Sequence, residues 1–80
     1  MSRLEQQILD LVAVQLGADA VQPGDRLVEE LGAESADVLN LVATLEDRYE
    51  IEIEEEEIPE LRTVADVCDL VGRRVGAGAA

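Results

Sequence analysis

The segment LGAESADVLNLV, residues 31–42, sets one hydroxyl, Ser35, between a Gly-Ala-Glu turn and a run with helical periodicity. A serine in that position has two uses. Its oxygen can cap the first N–H groups of the helix. Alternatively it is a nucleophile on display, and a phosphodiester formed on it would lie against free backbone N–H groups and the positive end of the helix macrodipole. The usual general bases are nearly all missing from the chain, whose 80 residues include neither histidine nor lysine. A reacting Ser35 therefore needs catalytic groups from another protein. Two further candidates carry less chemistry. Cys68 falls on the apolar stripe of the last helix, where cysteine acts as a small buried hydrophobe. The glutamates at 54–57 form a solvated charge run, whereas a cation site needs ligands that converge. No catalytic residue and no metal ligand is assigned.

Length and charge narrow the function further. Eighty residues with 48% hydrophobic content make one thin core, without a deep cleft of its own, which argues against an independent enzyme. A net charge of -13 with a pI near 4.1 repels phosphate backbones and anionic membranes, and Tyr49 is the only aromatic residue that could stack on a base. The expected partner has a basic surface; nucleic acid and membrane insertion are not expected. Cys68 has no second cysteine to pair with, Met1 runs into SRLEQQ without a signal segment, and no apolar run reaches membrane length. These features predict a soluble, cytoplasmic monomer.

The elements that must position Ser35 follow from periodicity. Ser2 and Glu5 have the spacing of a capping box, and Leu4, Ile8, Leu11 and Val12 then recur on one helical face until Gly17. Residues 18–34 read as a long loop with Pro23-Gly24 as a turn, one helical turn near its end, and Leu27, Val28 and Leu31 pinning it to the core. From Ser35, the positions Val38, Leu41, Val42, Leu45 and Tyr49 trace the clearest helical face in the chain. The alternation over residues 49–53 would suit a strand, but it has nothing to pair with. A connector instead leads to a short helical piece around residues 55–61, loosened by Pro59. Thr63 is the predicted N-cap of the last helix, with Val64, Val67, Cys68, Val71 and Val75 as its buried stripe. Arg73 and Arg74 suit the negative end of that helix. The domain is expected to span residues 1–75, and the tail at 76–80 to be disordered. The expected class is all-α: three main helices, one short helix, and a long ordered loop between the first two.

This order of elements, and the residues LGAESADVLNLVATLEDRYEIEI followed by LRTVADVCDLV, closely resemble the acyl carrier proteins of fatty-acid and polyketide synthesis over about residues 4–75. The resemblance implies a small antiparallel four-helix bundle. The family motif is Gly-x-Asp-Ser-Leu, and its serine is modified with 4'-phosphopantetheine by a dedicated transferase that takes the group from coenzyme A with magnesium. On this chain the matching serine is Ser35. The implied function is a carrier of acyl intermediates, held as thioesters on that arm, in fatty-acid, lipid or polyketide biosynthesis. The implied partners are a phosphopantetheinyl transferase and synthase and acyltransferase enzymes with basic patches. An unmodified helical interaction module and a peptidyl or aminoacyl carrier are the alternatives.

Four positions depart from the family pattern. Glu34 replaces the usual aspartate and Ala36 the usual leucine. Asn40 and Ala43 stand where common bacterial fatty-acid carriers have glutamate and methionine. The resemblance with these departures implies a specialised carrier. Its partner-facing residues are expected to be Glu34, Ala36, Asp37, Leu39, Asn40, Ala43, Glu46 and Asp47, with Leu39 as apolar anchor and Glu46 and Asp47 as rim charges. Leu41, Ile53, Ile58 and Leu61 are the expected lining of a refuge for a hydrophobic cargo.

Overall fold

Apolar side chains at helical spacing build three long helices, and the computed structural model describes them over residues 3–78, the side chains of 76–78 excepted. The first, α1 (Arg3–Leu16), buries Ile8, Leu9, Leu11 and Val12. Leu9 widens the expected stripe, because the helix meets two neighbours and not one. Gly17 follows at φ 67, a left-handed conformation that glycine adopts without a Cβ penalty, and the Ala18 N–H returns to the Ala13 carbonyl at 2.9 Å. Ser2, half of the expected capping box, lies outside the described residues.

The second helix, α2 (Ser35–Tyr49), buries Leu41, Val42 and Leu45. A short 3-10 helix, η1 (Glu55–Glu60), contains Pro59, and the third long helix, α3, spans Val64–Gly78. Thr63 caps α3 as expected: the Asp66 N–H donates to Thr63 Oγ1 at 3.2 Å and the Thr63 N–H donates to Asp66 Oδ2 at 3.0 Å. Val64, Val67, Cys68 and Val71 are buried together with Leu70, and Val75 packs against their edge. Helical backbone continues past residue 75 to Gly78, so the expected disordered tail does not begin at 76; Ala79 and Ala80 lie outside the described residues. Among the described residues there is no strand, and the alternating stretch at 49–53 passes through irregular backbone into η1.

α1, α2 and α3 pack pairwise around one core, giving the all-α arrangement of three long helices and a short one. The loop between α1 and α2 is part of that core. Leu27 is only 1% exposed and Ala33 is buried, but Val28 is 58% exposed and does not pin the loop as its sequence position suggests. Backbone bonds do more of that work. The first N–H groups of α3 have no partners within their own helix. Here the Val64 N–H donates to the Asp25 carbonyl at 3.0 Å and the Ala65 N–H to the Pro23 carbonyl at 2.8 Å. In return the Leu27 N–H donates to the Arg62 carbonyl at 2.9 Å, and Arg26 and Thr63 form an isolated antiparallel bridge. The loop then makes one turn, with the Gly32 N–H on the Val28 carbonyl at 3.1 Å, and Gly32 at φ 70 redirects the chain into α2.

Arg74 departs from the expected role at the end of its own helix. It reaches sideways, donating from Nη1 to the Glu52 carbonyl at 2.6 Å and pairing through Nη2 with the Glu57 carboxylate. Only Arg73 stays on α3, its Nε 3.4 Å from the Asp69 carbonyl.

α2 ends at Glu50 in the left-handed region, φ 52 and ψ 50, with its N–H on the Glu46 carbonyl. A side chain in that conformation costs about 1–2 kcal/mol that glycine does not incur. Glu50→Gly is expected to raise the melting temperature, while Glu50→Gln, which removes the charge alone, should recover only part of the gain. Equal melting of Glu50→Gly and Glu50→Gln would show that charge and not backbone strain sets the effect.

Candidate functional site

The start of α2 shows that Ser35 does not cap the helix. The N-cap is Glu34, with φ -95 and ψ 171, and Ser35 is the first helical residue. The Glu34 N–H donates to Asp37 Oδ2 at 2.9 Å, so a neighbouring carboxylate fixes the turn and leaves the serine hydroxyl out of the capping arrangement. Ser35 is exposed. Other hydroxyls are engaged: Thr44 Oγ1 donates to the Asn40 carbonyl, Thr63 Oγ1 accepts from the Asp66 N–H, and the Tyr49 hydroxyl donates to Gln7 Oε1. Among the described residues, Ser35 is the hydroxyl with no hydrogen bond inside the chain.

Beside Ser35 runs a groove of about 250 Å3, lined by Val28, Glu29, Val38, Ile58, Pro59, Leu61 and Arg62 as well as Ser35 itself. Three elements build it. The loop supplies Val28 and Glu29, the first turn of α2 supplies Ser35 and Val38, and η1 with the residues after it supplies the rest. Val28 and Val38 were not singled out from the sequence as cargo-facing. Of the residues that were, Ile58 and Leu61 line the groove, whereas Leu41 and Ile53, buried in the core as Leu61 also is, do not. The free surface of Val28, which looks anomalous as packing, is the signal that marks it as a groove residue.

η1 forms one wall of the groove, and two sets of bonds hold it. The Glu54 N–H donates to Glu57 Oε1 at 2.9 Å, and Arg74 clasps the other oxygen of the same carboxylate. The Glu54 N–H first, and the Arg74 guanidinium second, hold the Glu57 carboxyl below its ordinary value of 4.5. The Ile53 N–H donates to Glu46 Oε2 at 2.9 Å, which ties the connector before η1 to α2.

On the outer face of α2, Ala36, Leu39, Asn40, Ala43 and Asp47 are exposed together with Glu34, and Leu39 at 55% is the large apolar side chain among them. Asp37 and Glu46 are half-buried and carry structural bonds to the Glu34 and Ile53 N–H groups. Cys68 is buried, and burial, with help from Glu5 and Asp69, pushes its thiol up to about 11, which leaves it protonated and unreactive at neutral pH. A cleft of about 100 Å3 on the far side of η1 brings Glu57, Glu60, Asp66 and Asp69 near Arg73, but it does not reach Ser35. Among the described residues no group of three or more carboxylate or thiol side chains is placed to hold a metal ion.

Comparison with known proteins agrees with this geometry. The family model described as "Phosphopantetheine attachment site" matches residues 6–71. The chain is 35% identical over 79 residues to an acyl carrier protein of Syntrophobacter fumaroxidans, covering 96% of this chain and 98% of that one. Among solved structures it is similar to an acyl carrier protein from Thermotoga maritima, with a TM-score of 0.79 at 30% identity and coverage of 94% and 89%. It is also similar to BlmI, a type-II acyl carrier protein from Streptomyces verticillus involved in bleomycin biosynthesis, with a TM-score of 0.76, 30% identity and coverage of 88% and 83%.

The clasp on η1 has a testable pH signature. A carboxyl held below its ordinary value contributes stability that is present above about pH 4.5 and is lost as pH falls through the lowered native value. Arg74→Ala removes one cause of that lowering. The stability gap between the wild type and Arg74→Ala, measured by urea unfolding, is therefore expected to be full near neutrality and to narrow on acidification below about pH 4.5. A gap that stays constant with pH would assign Arg74 to packing and to the Glu52 carbonyl alone.

Proposed function

The chain belongs to the acyl carrier proteins, which are carriers and not enzymes and whose prosthetic group is 4'-phosphopantetheine; from that premise we propose that Ser35 is the attachment residue and that the groove beside it shelters what the arm carries. The observation that carries the assignment is the free hydroxyl. Ser35 stands exposed and unbonded at the first position of α2, at the mouth of a largely apolar groove, while the neighbouring turn is capped by Asp37.

Each feature of the site suits the group. The first N–H groups of α2 and its macrodipole favour an anion at Ser35. Ser35 Oγ supplies the nucleophile that attacks the pantetheine-bearing phosphorus of coenzyme A; the pyrophosphate P–O bond breaks, 3',5'-ADP leaves, and the serine proton passes to a base of the transferase. When bound, the group supplies a thiol that holds acyl units as thioesters, and its tether keeps them at high local concentration for successive partners. Val28, Val38, Ile58 and Leu61 then offer apolar surface to the cargo, at about 0.8 kcal/mol for each methylene buried. Leu41 and Ile53 do not line the groove and would join it only if it deepened.

Acyl carrier proteins work with a phosphopantetheinyl transferase and with synthases in general. For this chain the reading adds partners with basic surface patches, docking on the outer face of α2. Leu39 is the apolar anchor, set between the small Ala36 and Ala43. Glu34 and Asp47 are the accessible charges, with Asn40 thinning the charge between them, whereas Asp37 and Glu46 contribute their field while holding backbone N–H groups. An anchor of this kind governs release, and rim charges govern approach. The departures at Glu34, Ala36, Asn40 and Ala43, with the likeness to a type-II carrier of bleomycin biosynthesis, favour a specialised pathway over housekeeping fatty-acid synthesis. The reading places the carrier as a monomer in the cytoplasm, where coenzyme A and the transferase are met; no helix among the described residues is long and apolar enough to cross a membrane.

Intact mass after co-expression with a broad-specificity phosphopantetheinyl transferase tests the assignment. The wild type is expected to gain one phosphopantetheine, and Ser35→Ala none. Because Ser35 is not the cap, Ser35→Ala should change stability by less than about 0.5 kcal/mol, so its failure to be modified cannot be put down to misfolding. Modification of the Ser35→Ala protein would refute the assignment.

A further inference from the structure

On the reading that Ser35 carries the arm, we propose that Arg62 is a specificity-determining residue of the groove: its guanidinium receives an anionic oxygen group brought there from Ser35. That group is the phosphodiester on Ser35 or a carboxylate at the end of the cargo, and the two share a pair of anionic oxygens on one atom, which a guanidinium binds with paired N–H donors.

Two charged residues line the otherwise apolar groove, Glu29 and Arg62. Glu29 is already committed, because its Oε2 lies 2.9 Å from Arg26 Nη1. Arg62 is not. The nearby Asp66 carboxylate spends its Oδ2 on the Thr63 and Arg62 backbone N–H groups, at 3.0 and 3.2 Å. No ion pair or side-chain hydrogen bond engages the Arg62 guanidinium among the described residues. In a chain of net charge -13, Arg62 is a cation that acts on the Asp66 carboxylate from a distance yet forms no direct ion pair, and it lines the same groove as the candidate nucleophile.

The backbone holds Arg62 in place. Its carbonyl accepts the Leu27 N–H at 2.9 Å, its N–H lies 3.0 Å from the Glu60 carbonyl, and the next residue, Thr63, bridges to Arg26. The side chain therefore starts from a fixed point at the groove edge, which lowers the entropy lost when it closes on a ligand. A second, open concavity continues past it, lined by Arg26, Glu29, Arg62, Thr63 and Asp66, so an anion can reach the guanidinium without being buried. An anion at Ser35 is favoured by the N–H end of α2 and opposed by Glu34 and Asp37, and Arg62 adds a cation on the groove side of that balance. A neutral chain gains nothing from the same contact.

The test uses four forms of the intact protein, each verified by mass: unmodified, holo, hexanoyl and adipoyl, the last two having the same chain length and differing by a terminal carboxylate. Each is made in the wild type and in Arg62→Gln, which keeps the backbone bonds. The readouts are the Arg62 Nε–H resonance and the melting temperature at low and high salt. If the phosphodiester is the ligand, the resonance shifts between unmodified and holo protein, and Arg62→Gln lowers the melting temperature more in the holo form. If the ligand is the cargo carboxylate, the resonance shifts between hexanoyl and adipoyl forms. The adipoyl form then melts higher in the wild type, and the difference disappears in Arg62→Gln and shrinks in high salt. Complete loading of Ser35 with no Arg62 shift at either step overturns this proposal while leaving the attachment site intact. Absence of loading at Ser35 overturns both.

Discussion

The carbonyls of Pro23 and Asp25 accept the first N–H groups of α3, and the Leu27 N–H answers to the carbonyl of Arg62. These three bonds settle a general problem of helix ends, since unpaired N–H groups at a packed terminus would be costly. Their consequence reaches well beyond α3. They convert a long connection into a fixed wall, drive Leu27 into the core, and leave Val28 facing outward across the groove. Ser35 takes its place from the same framework, because the chain has only Gly32 and two further residues in which to turn from the pinned loop into α2.

On that framework the site divides its labour among carboxylates. Asp37 fixes the turn before α2, Glu46 holds the connector after it, and Glu57 is clasped by Arg74 so that η1 stays against the bundle. Each of these acids satisfies a backbone N–H, and in doing so each gives up part of its freedom as a surface charge. The division explains how a chain with ten acidic and one basic residue between positions 34 and 57 holds a compact shape: several of those charges are tied into the structure that they would otherwise repel. It also leaves the hydroxyl of Ser35 without a hydrogen bond among the described residues, since Asp37 makes the bond at the turn.

Side chains carry periodic signals, and the sequence alone therefore determined α1, α2 and α3, the Thr63 cap, the break at Gly17 and the position of Ser35 at the head of α2. The sequence pattern around Ser35 also pointed to the family, because its serine, the long loop and the final capped helix occur in one order. Three things were decided only by tertiary structure. Ser35 is not the cap, since whether Ser35 or Glu34 begins the helix depends on a turn geometry that either residue allows. Arg74 serves η1 and not its own helix end, because the two segments meet only after folding. The groove comprises Val28 and Val38 with Ile58 and Leu61, whereas Leu41 and Ile53 are buried and do not line it. Apolar periodicity tells which face of a helix is covered but not which neighbour covers it, and the bonds that pin the loop run between backbone atoms, which are the same in every residue and leave no mark on the sequence.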